Sequence, residues 1–478
     1  MSISREQLIR KYVSALHKGD SALFVGAGLS RPSGFVDWRA LMAECGEELG
    51  LDVKREHDLV AVAQYYLNRR GRDRSGLNQL LLDEFGKPGS PSDNHKIIAR
   101  LAIPIVWTTN FDTLLEDSYD AAKVRADVKK TDASIGVSLP SRDVVLYKMH
   151  GDIASPEEII ICKDDYERYA VRHQAMQNTL EADLLGKTFL FLGFSFTDPN
   201  LDYMLGHLRS LLGDSKREHY SIMRRVLRSD FPSGNDGEDE FRYEENKQGL
   251  QIEDLQRYSI QTLLVHDYSD ITEVLTEIEQ SYYLRNVFVS GSAHEYGVYG
   301  EDAIHKLCHN LGQRLMEEGL NLVSGFGLGI GSAVIMGALS TLYQAEGAAH
   351  LEDRLVLRPF PQGVPTHERQ AFYRLYREDM IGRSGFAVFI AGNRSDAAIA
   401  PGVIQEYEIS RQFFKTPIPI GATGYAARQI WETLRPKIEG VYSGVVSAHL
   451  YDELNNSSLD PEALVNRVID IIKLVRGT

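Results

Sequence analysis

The chain has 478 residues, 43% of them hydrophobic and 25% charged, with a net charge of −15. That length exceeds one ordinary core, so two or more domains of a globular protein are expected. The acidic balance repels a phosphate backbone, which argues against nucleic acid as a partner, and the absence of any apolar run of about 18 residues argues against a membrane span.

Cys45, Cys162 and Cys308 stand far apart with no CxxC. No cysteine zinc site, no disulfide framework and no metal are expected, and a reducing cytoplasm is the expected location. The opening "MSISREQLIRKYVSALHKGD" predicts an amphipathic helix and not a signal peptide. Short apolar strands then follow at Ala22–Gly26, Ile103–Thr108, Val144–Met149, Phe189–Phe194 and Gln261–His266. Helical stretches such as Trp38–Leu49 and Asn200–Leu212 lie between them. Such alternation predicts a parallel, doubly wound sheet. Residues 227–250, acidic with Pro and Gly, predict a solvated loop or insertion. After His150, the run "IASPEEIIICKDDYERYAVRHQAMQNTLEADLL" predicts a strand followed by helices.

A second alternating series starts near Asn286 with "NVFVSGSA" and continues through "NLVSGFGLGIG", "RLVLRPF", "FAVFIAGN" and "PIPIGATG". Helices are expected around Glu301–Gly319, up to Gln344, near His367–Met380 and after Pro401. The fold class is therefore α/β with two Rossmann-like domains, 1–283 and 284–478, divided after a helix over Asp270–Tyr283.

"SALFVGAGLSRPSGFVDW" runs from a strand into Gly26, Ala27 and Gly28. Glycines there let a backbone approach a pyrophosphate. The pattern is not GxGxxG, because Arg31 stands at the third glycine position. "VWTTNFDTLLE" puts Thr109, Asn110 and Asp112 at a second strand end, "VVLYKMHGD" puts His150 at a third, and "FLFLGFSF" puts Gly193 and Ser195 at a fourth. Singly, each has a bland reading: a turn for the glycines, a helix cap for Asn110, a satisfied core imidazole for His150. Together they form candidates for one pocket, because ligands of open α/β sheets bind outside the carboxyl ends of the strands.

These motifs, in this order, resemble the sirtuin pattern over residues 10–283. The resemblance implies that Ala27, Gly28 and Ser195 contact phosphates or ribose of NAD+. It implies that Asn110 and Asp112 face the nicotinamide end, and that His150 meets the nicotinamide ribose hydroxyls. Ser30, Asp37, Trp38, Thr109, Gly193 and His266 join them as candidate NAD-binding residues. The loop with Arg31 and Trp38 is expected to close over that ribose. Sirtuins that deacylate proteins carry a four-cysteine zinc module after the histidine, whereas Cys162 stands alone here. Water is then the expected acceptor. Nicotinamide leaves a cationic ribosyl centre as a neutral molecule through an oxocarbenium-like transition state. Asn110 is expected to orient the water, His150 to accept a hydrogen bond from ribose, and Asp112 to hold the carboxamide or support Asn110.

In the second half, Ser290, Gly291 and Ser292 end one strand, Gly325, Gly327 and Gly329 follow another, and Gly392 and Asn393 end a third. Glu406 lies on the first turns after "APG", and Arg369, Arg374 and Arg377 share one helix. Arg374 is the expected phosphate contact. The features resemble the SLOG superfamily over 284–478, although "PGVIQEYE" lacks the second Gly and the Thr of PGGxGTxxE. That departure favours ligand sensing over catalysis.

A sirtuin-like domain followed by a SLOG domain is similar to the effector family of Thoeris antiphage defence. That resemblance implies an NAD+ glycohydrolase activated when the SLOG domain binds a cyclic ADP-ribose isomer made by a TIR-domain partner. It further implies NAD+ depletion, abortive infection, and a tetramer that assembles further on activation. A non-catalytic NAD or nucleotide sensor and an NAD-dependent deacylase are the alternatives.

Overall fold

The computed structural model describes residues 2–194, 196, 201, 205–206, 217–344, 351–359, 366–395 and 398–477. The chain forms two compact units, Met1–Glu279 and Gln280–Thr478. The division falls within the last turns of a helix at Ser269–Tyr283.

The first unit is built on seven strands: β1 (Ser21–Val25), β2 (Ile105–Thr108), β3 (Ala126–Lys129), β4 (Val144–Lys148), β5 (Thr188–Leu192), β6 (His219–Arg224) and β7 (Ile260–Val265). Their order is β3-β4-β2-β1-β5-β6-β7, and all pairings are parallel. β1 and β5 are buried along their whole length, which is why "SALFV" and "TFLFL" read as near-continuous apolar runs. Val25 lies opposite both Thr108 and Leu192, and Thr108 opposite Lys148. The carboxyl ends of β4, β2, β1 and β5 therefore stand side by side. The chain leaves β1 towards β2 and later returns on the other flank at β5, so β1 marks the topological switch point. The first helix, Arg5–His17, starts from a Ser4 capping box with Gln7.

Three expectations fail here, each for a physical reason. Residues 227–250 are not a loop: a short turn at Arg228–Asp230 precedes a helix of 22 residues, Asn235–Gln256. It buries only Gly237, Ile252 and Leu255, so its sequence has no apolar stripe to announce it. Charge pairs such as Arg242–Glu238 support it instead. The strand expected after His150 is absent: Ile159, Ile160 and Ile161 are buried, but Ile159 and Ile161 pack on the helices Leu59–Arg69 and Ser75–Phe85 and not into the sheet. The expected helix Trp38–Leu49 is two helices, Trp38–Leu41 and Ala43–Leu49, broken at Met42. β3 and β6 are strands beyond those the apolar runs predict. Most of the expected helix Asn200–Leu212 lies outside the described residues.

The second unit has five parallel strands: β8 (Asn286–Ser292), β9 (Asn321–Ser324), β10 (Leu355–Leu357), β11 (Phe386–Ala391) and β12 (Thr416–Ile420). Their order is β10-β9-β8-β11-β12, which puts its switch point at β8. Helices Gly300–Glu317 and Pro461–Arg476 contribute Leu307, Leu311, Val468 and Ile472 to its core. Among the described residues no helix is long and apolar enough to cross a membrane.

Two buried histidines of the first unit give it acid sensitivity. Burial pushes His95 and His219 each down to about 4, and His219 Nδ1 accepts from the Phe189 N–H at 3.2 Å. The unfolded chain protonates both near pH 6.5, so it binds more protons than the folded state between pH 6.5 and 4. Stability is present in full above that window and falls as pH drops through it, by up to about 1.4 kcal/mol per pH unit for each histidine. Thermal unfolding at pH 7 and pH 5 should show the loss, and His219→Gln should reduce it. An equal pH dependence in that variant would show that His219 does not carry the effect.

Candidate functional site

The Gly26–Gly28 loop is a crossing of two backbones. Gly26 N–H donates to Leu192 O and Gly28 N–H to Gly193 O, both at 2.9 Å. A Cβ on Gly28 would lie 2.9 Å from Gly193 Cα, and one on Gly26 2.5 Å from Gly193 O. Gly193 itself has φ +63°, and a Cβ there would lie 2.4 Å from Leu29 N. The glycines thus serve first to lock the end of β1 onto the end of β5. Ala27 begins the 3₁₀ turn Ala27–Leu29 that follows.

Asn110 sits directly beside this crossing and is buried. Its backbone N–H donates to Thr108 Oγ1 at 3.0 Å, which itself donates to Val25 O at 3.1 Å. Its amide Nδ2 donates to Gly26 O at 3.2 Å and to Ser30 Oγ at 3.0 Å. Ser30 Oγ in turn donates to Asp112 Oδ2 at 2.8 Å. Asp112 Oδ1 accepts from the Leu114 N–H at 3.1 Å, a local turn that leads into the next helix. Asn110 Oδ1 has no hydrogen-bond partner among the described residues. Buried polar atoms are nearly always hydrogen-bonded, so this open acceptor calls for an explanation.

His150 follows β4 and is also buried. Met149 N–H donates to Thr108 O, and the His150 carbonyl accepts from Ile160 N–H, each at 3.0 Å. The ring lies edge-on to Tyr166 and Tyr169, with centroids 5.5 and 6.3 Å away. Tyr169 also donates its hydroxyl to Met149 O at 3.1 Å. Both tyrosines come from the helix Lys163–Arg172. The helix that follows the histidine in sequence thus packs against its ring.

The structure therefore brings Ala27, Gly28, Ser30, Thr109, Asn110, Asp112, His150 and Gly193 to adjacent strand ends. Thr109 N–H ties β2 to β1 through Val25 O at 3.3 Å. Asp37 caps the helix at Trp38 by accepting from Ala40 N–H at 2.9 Å, and lies 3.6 Å from Arg31. Trp38 packs on the cluster around Leu41 and Phe111. His266 is not part of the group: it is exposed at the end of β7, with β5 and β6 between it and β1, and its N–H is held by Asp270. Ser195 lies outside the described residues. The structure adds buried titratable residues near these strand ends that are not among the sequence candidates, His95, Lys148 and Asp152 among them. The lysine had a signal, a lone cation in the apolar run "VVLYKMH". His95 had none.

In the second unit, Ser290 donates to Glu406 Oε2 at 2.5 Å and Arg377 Nε donates to Glu406 Oε1 at 3.1 Å. Arg377 Nη1 also reaches Gln405 Oε1 at 2.8 Å. Burial pushes the Glu406 carboxyl up, against the pull of Arg377 and the Ser290 hydroxyl. Arg374, the arginine expected to meet a phosphate, instead pairs with Glu378 at 2.8 Å and is 54% exposed. Its position on the helix Thr366–Gly382 leaves Arg377, three residues on, to face Glu406. Asn393 is committed to its own loop: Oδ1 accepts from the His294 and Glu295 N–H groups at 2.8 and 3.0 Å, and Ser292 Oγ donates to its carbonyl. Gly291, Gly327, Gly329 and Gly392 let the strand-end loops cross closely; a Cβ on Gly327 would lie 1.8 Å from Gly291 O. Gly325 is half-buried where that loop begins. A groove of about 730 Å³ opens beside Arg377, lined also by Arg369, Tyr373, Pro401, Gly402 and Gln405.

Residues 104–251 match the SIR2-like domain family, and residues 270–475 match the Sir2- and TIR-associating SLOG family. The NAD(+) hydrolase ThsA of Bacillus cereus (strain MSX-D12) is 41% identical over 475 residues, covering 98% of either chain. That of Cytobacillus dafuensis is 39% identical over 486 residues, covering 100% of this chain and 98% of its own. The chain belongs to the ThsA family of NAD(+) hydrolases. A more distant likeness, 26% over 289 residues, is to defense-associated sirtuin 2 of Bacillus subtilis, covering 58% of this chain and 27% of that protein.

In this ThsA-family enzyme the SIR2-like match spans Asn110, Asp112, His150 and Gly193 but starts after the Gly26–Ser30 loop. Among the described residues no group of three or more His, Cys, Asp or Glu side chains is placed to hold a metal. Cys45, Cys162 and Cys308 are buried free thiols.

Proposed function

We propose that NAD+ is cleaved at the cluster of Asn110, Asp112 and His150, and that the SLOG domain regulates it. The observation that carries the catalytic part is the open, buried Oδ1 of Asn110. The bond from ribose C1′ to the nicotinamide nitrogen breaks, and its electron pair leaves with neutral nicotinamide. Asn110 Oδ1 accepts a hydrogen bond from the water that adds at C1′, and a proton passes from that water to His150 or to solvent. His150 grips the ribose hydroxyls, while Asp112 and Ser30 hold the Asn110 amide. Arg31, Asp37 and Trp38 form the loop over the ribose, and Ser195 and Gly193 serve the phosphates. No cofactor or metal enters this scheme.

The regulatory part reads the Ser290–Glu406–Arg377 cluster and its groove as the activator site. The activator is a cyclic ADP-ribose isomer supplied by a TIR-domain protein during phage infection. Cleavage then drains cellular NAD+ in the cytoplasm and aborts the infection. The protein acts as a homo-oligomer, a tetramer that assembles further on activation. The carboxylate of Glu406 suits ribose hydroxyls, and the arginines suit the pyrophosphate.

Purified protein is incubated with NAD+, with and without cyclic ADP-ribose isomers, while nicotinamide and ADP-ribose are followed. Cleavage raised by one isomer supports the reading; a rate indifferent to every isomer removes the regulatory part. Glu406→Ala and Arg377→Ala should each shift the half-activating concentration upward by roughly 10–100-fold, the worth of a charge-assisted hydrogen bond. Arg374→Ala tests whether the exposed arginine shares the load. A wild-type response in all three variants would move the site elsewhere.

A further inference from the structure

Lys148 is the last residue of β4, and its side chain is 0% exposed. A lysine ammonium is costly to bury unless it is fully paired, and an apolar residue would serve the strand itself better. Its partners are therefore informative. Nζ donates to Asp112 O at 2.6 Å and Phe111 O at 3.2 Å. It also donates to Glu116 Oε1 at 3.0 Å and Asp152 Oδ2 at 2.5 Å. The two carbonyls belong to the residues directly after Asn110, and Asp152 lies two residues after His150. One cation thus touches both segments that carry the candidate catalytic groups.

Main-chain bonds also tie these segments: Met149 N–H to Thr108 O and Ile153 N–H to Phe111 O. Both lie past the last ladder pair of β2 and β4, Thr108 with Lys148. Productive attack at C1′ tolerates displacements of well under an ångström. Asp152 is itself anchored, by Lys130 at 3.0 Å and by the Ala154 N–H at 2.9 Å. Burial raises the Asp152 carboxyl, but the Lys148 charge and these hydrogen bonds outweigh it and hold the group below its usual range.

We infer that Lys148 is a positioning residue for NAD+ hydrolysis, its buried ammonium setting the Asn110–Asp112 segment against the His150–Asp152 segment. The inference rests on the reading that this cluster is the active site. Lys148 touches neither water nor NAD+ in this role; it acts through the two loops.

The test uses the full chain under the conditions that give the wild type its highest NAD+ turnover, with rates expressed per folded molecule from near-ultraviolet circular dichroism. Lys148→Arg keeps the charge in a planar fork that cannot meet all four acceptors. The pair Lys148→Met with Asp152→Asn removes the cation without stranding the most buried carboxylate. Both should lower kcat at least 30-fold while KM stays within threefold, because substrate still binds but the groups that meet the transition state are misaligned. A folded variant with kcat within threefold of wild type overturns the inference. Should the pair not fold, Asp152→Asn and Glu116→Gln each loosen the ammonium while leaving it paired; lower kcat at constant KM supports the inference and unchanged kcat overturns it. Asn110→Ala is measured alongside. If it keeps wild-type turnover, the site reading itself fails; if it is inactive while the Lys148 variants are active, only the positioning role fails.

Discussion

Asn110→Ala is expected to abolish NAD+ cleavage while the protein stays folded. The substitution removes Asn110 Oδ1, a buried polar atom with no hydrogen-bond partner among the described residues. Loss of a single preorganised polar contact to a developing transition state costs about 10²–10³ in rate, and a misdirected water adds to that. The structural cost is smaller. Gly26 O and Ser30 Oγ lose the Nδ2 donor, about 1–2 kcal/mol for hydrogen bonds of this kind. Nicotinamide release followed by chromatography, with a thermal melt of the same sample, separates the two effects. His150→Ala should behave alike through loss of the ribose grip. Near-normal turnover in either variant would falsify the assigned roles.

Gly193→Ala should damage both the stability and the activity of the first unit. At φ +63° an L-residue is strained by roughly 1–2 kcal/mol. The new Cβ would also lie 2.4 Å from Leu29 N and 2.8 Å from Gly28 C. Those are backbone atoms, which move only if the β1 and β5 loops separate, so an overpacking cost of about 1–3 kcal/mol adds to the strain. The separation breaks the Gly28 N–H to Gly193 O bond and shifts Gly26, whose carbonyl holds Asn110. A lower melting temperature and a loss of activity should therefore appear together. Wild-type stability in Gly193→Ala would show that the crossing is looser than its distances imply.

Much of this site was legible in the sequence because parallel sheets are buried on both faces. Their strands read as unbroken apolar runs, and the polar residues that end them stand out. "FVGAG", "TTNFD" and "MHGD" each announced a strand end in this way, and the family pattern supplied their order. The helix Asn235–Gln256 was illegible for the opposite reason: a surface helix that buries so little has no period to detect. His266 misled because a strand end was visible while its place in the sheet was not; strand order is a long-range property, and β7 lies at the far edge.

By itself, the sequence determined the two α/β units, the strand ends that carry Asn110, Asp112 and His150, and the lone Cys162 in place of a cysteine cluster. Hydrophobic burial writes those features locally, residue by residue. Only the tertiary structure decided what the residues do to one another. The glycines of "GAG" cross the β5 loop, Ser30 bridges Asn110 to Asp112, Arg377 and not Arg374 meets Glu406, and Lys148 reaches carbonyls 36 and 37 residues before it. Those contacts depend on hydrogen-bond approach between segments distant in sequence, and no local period or spacing encodes that.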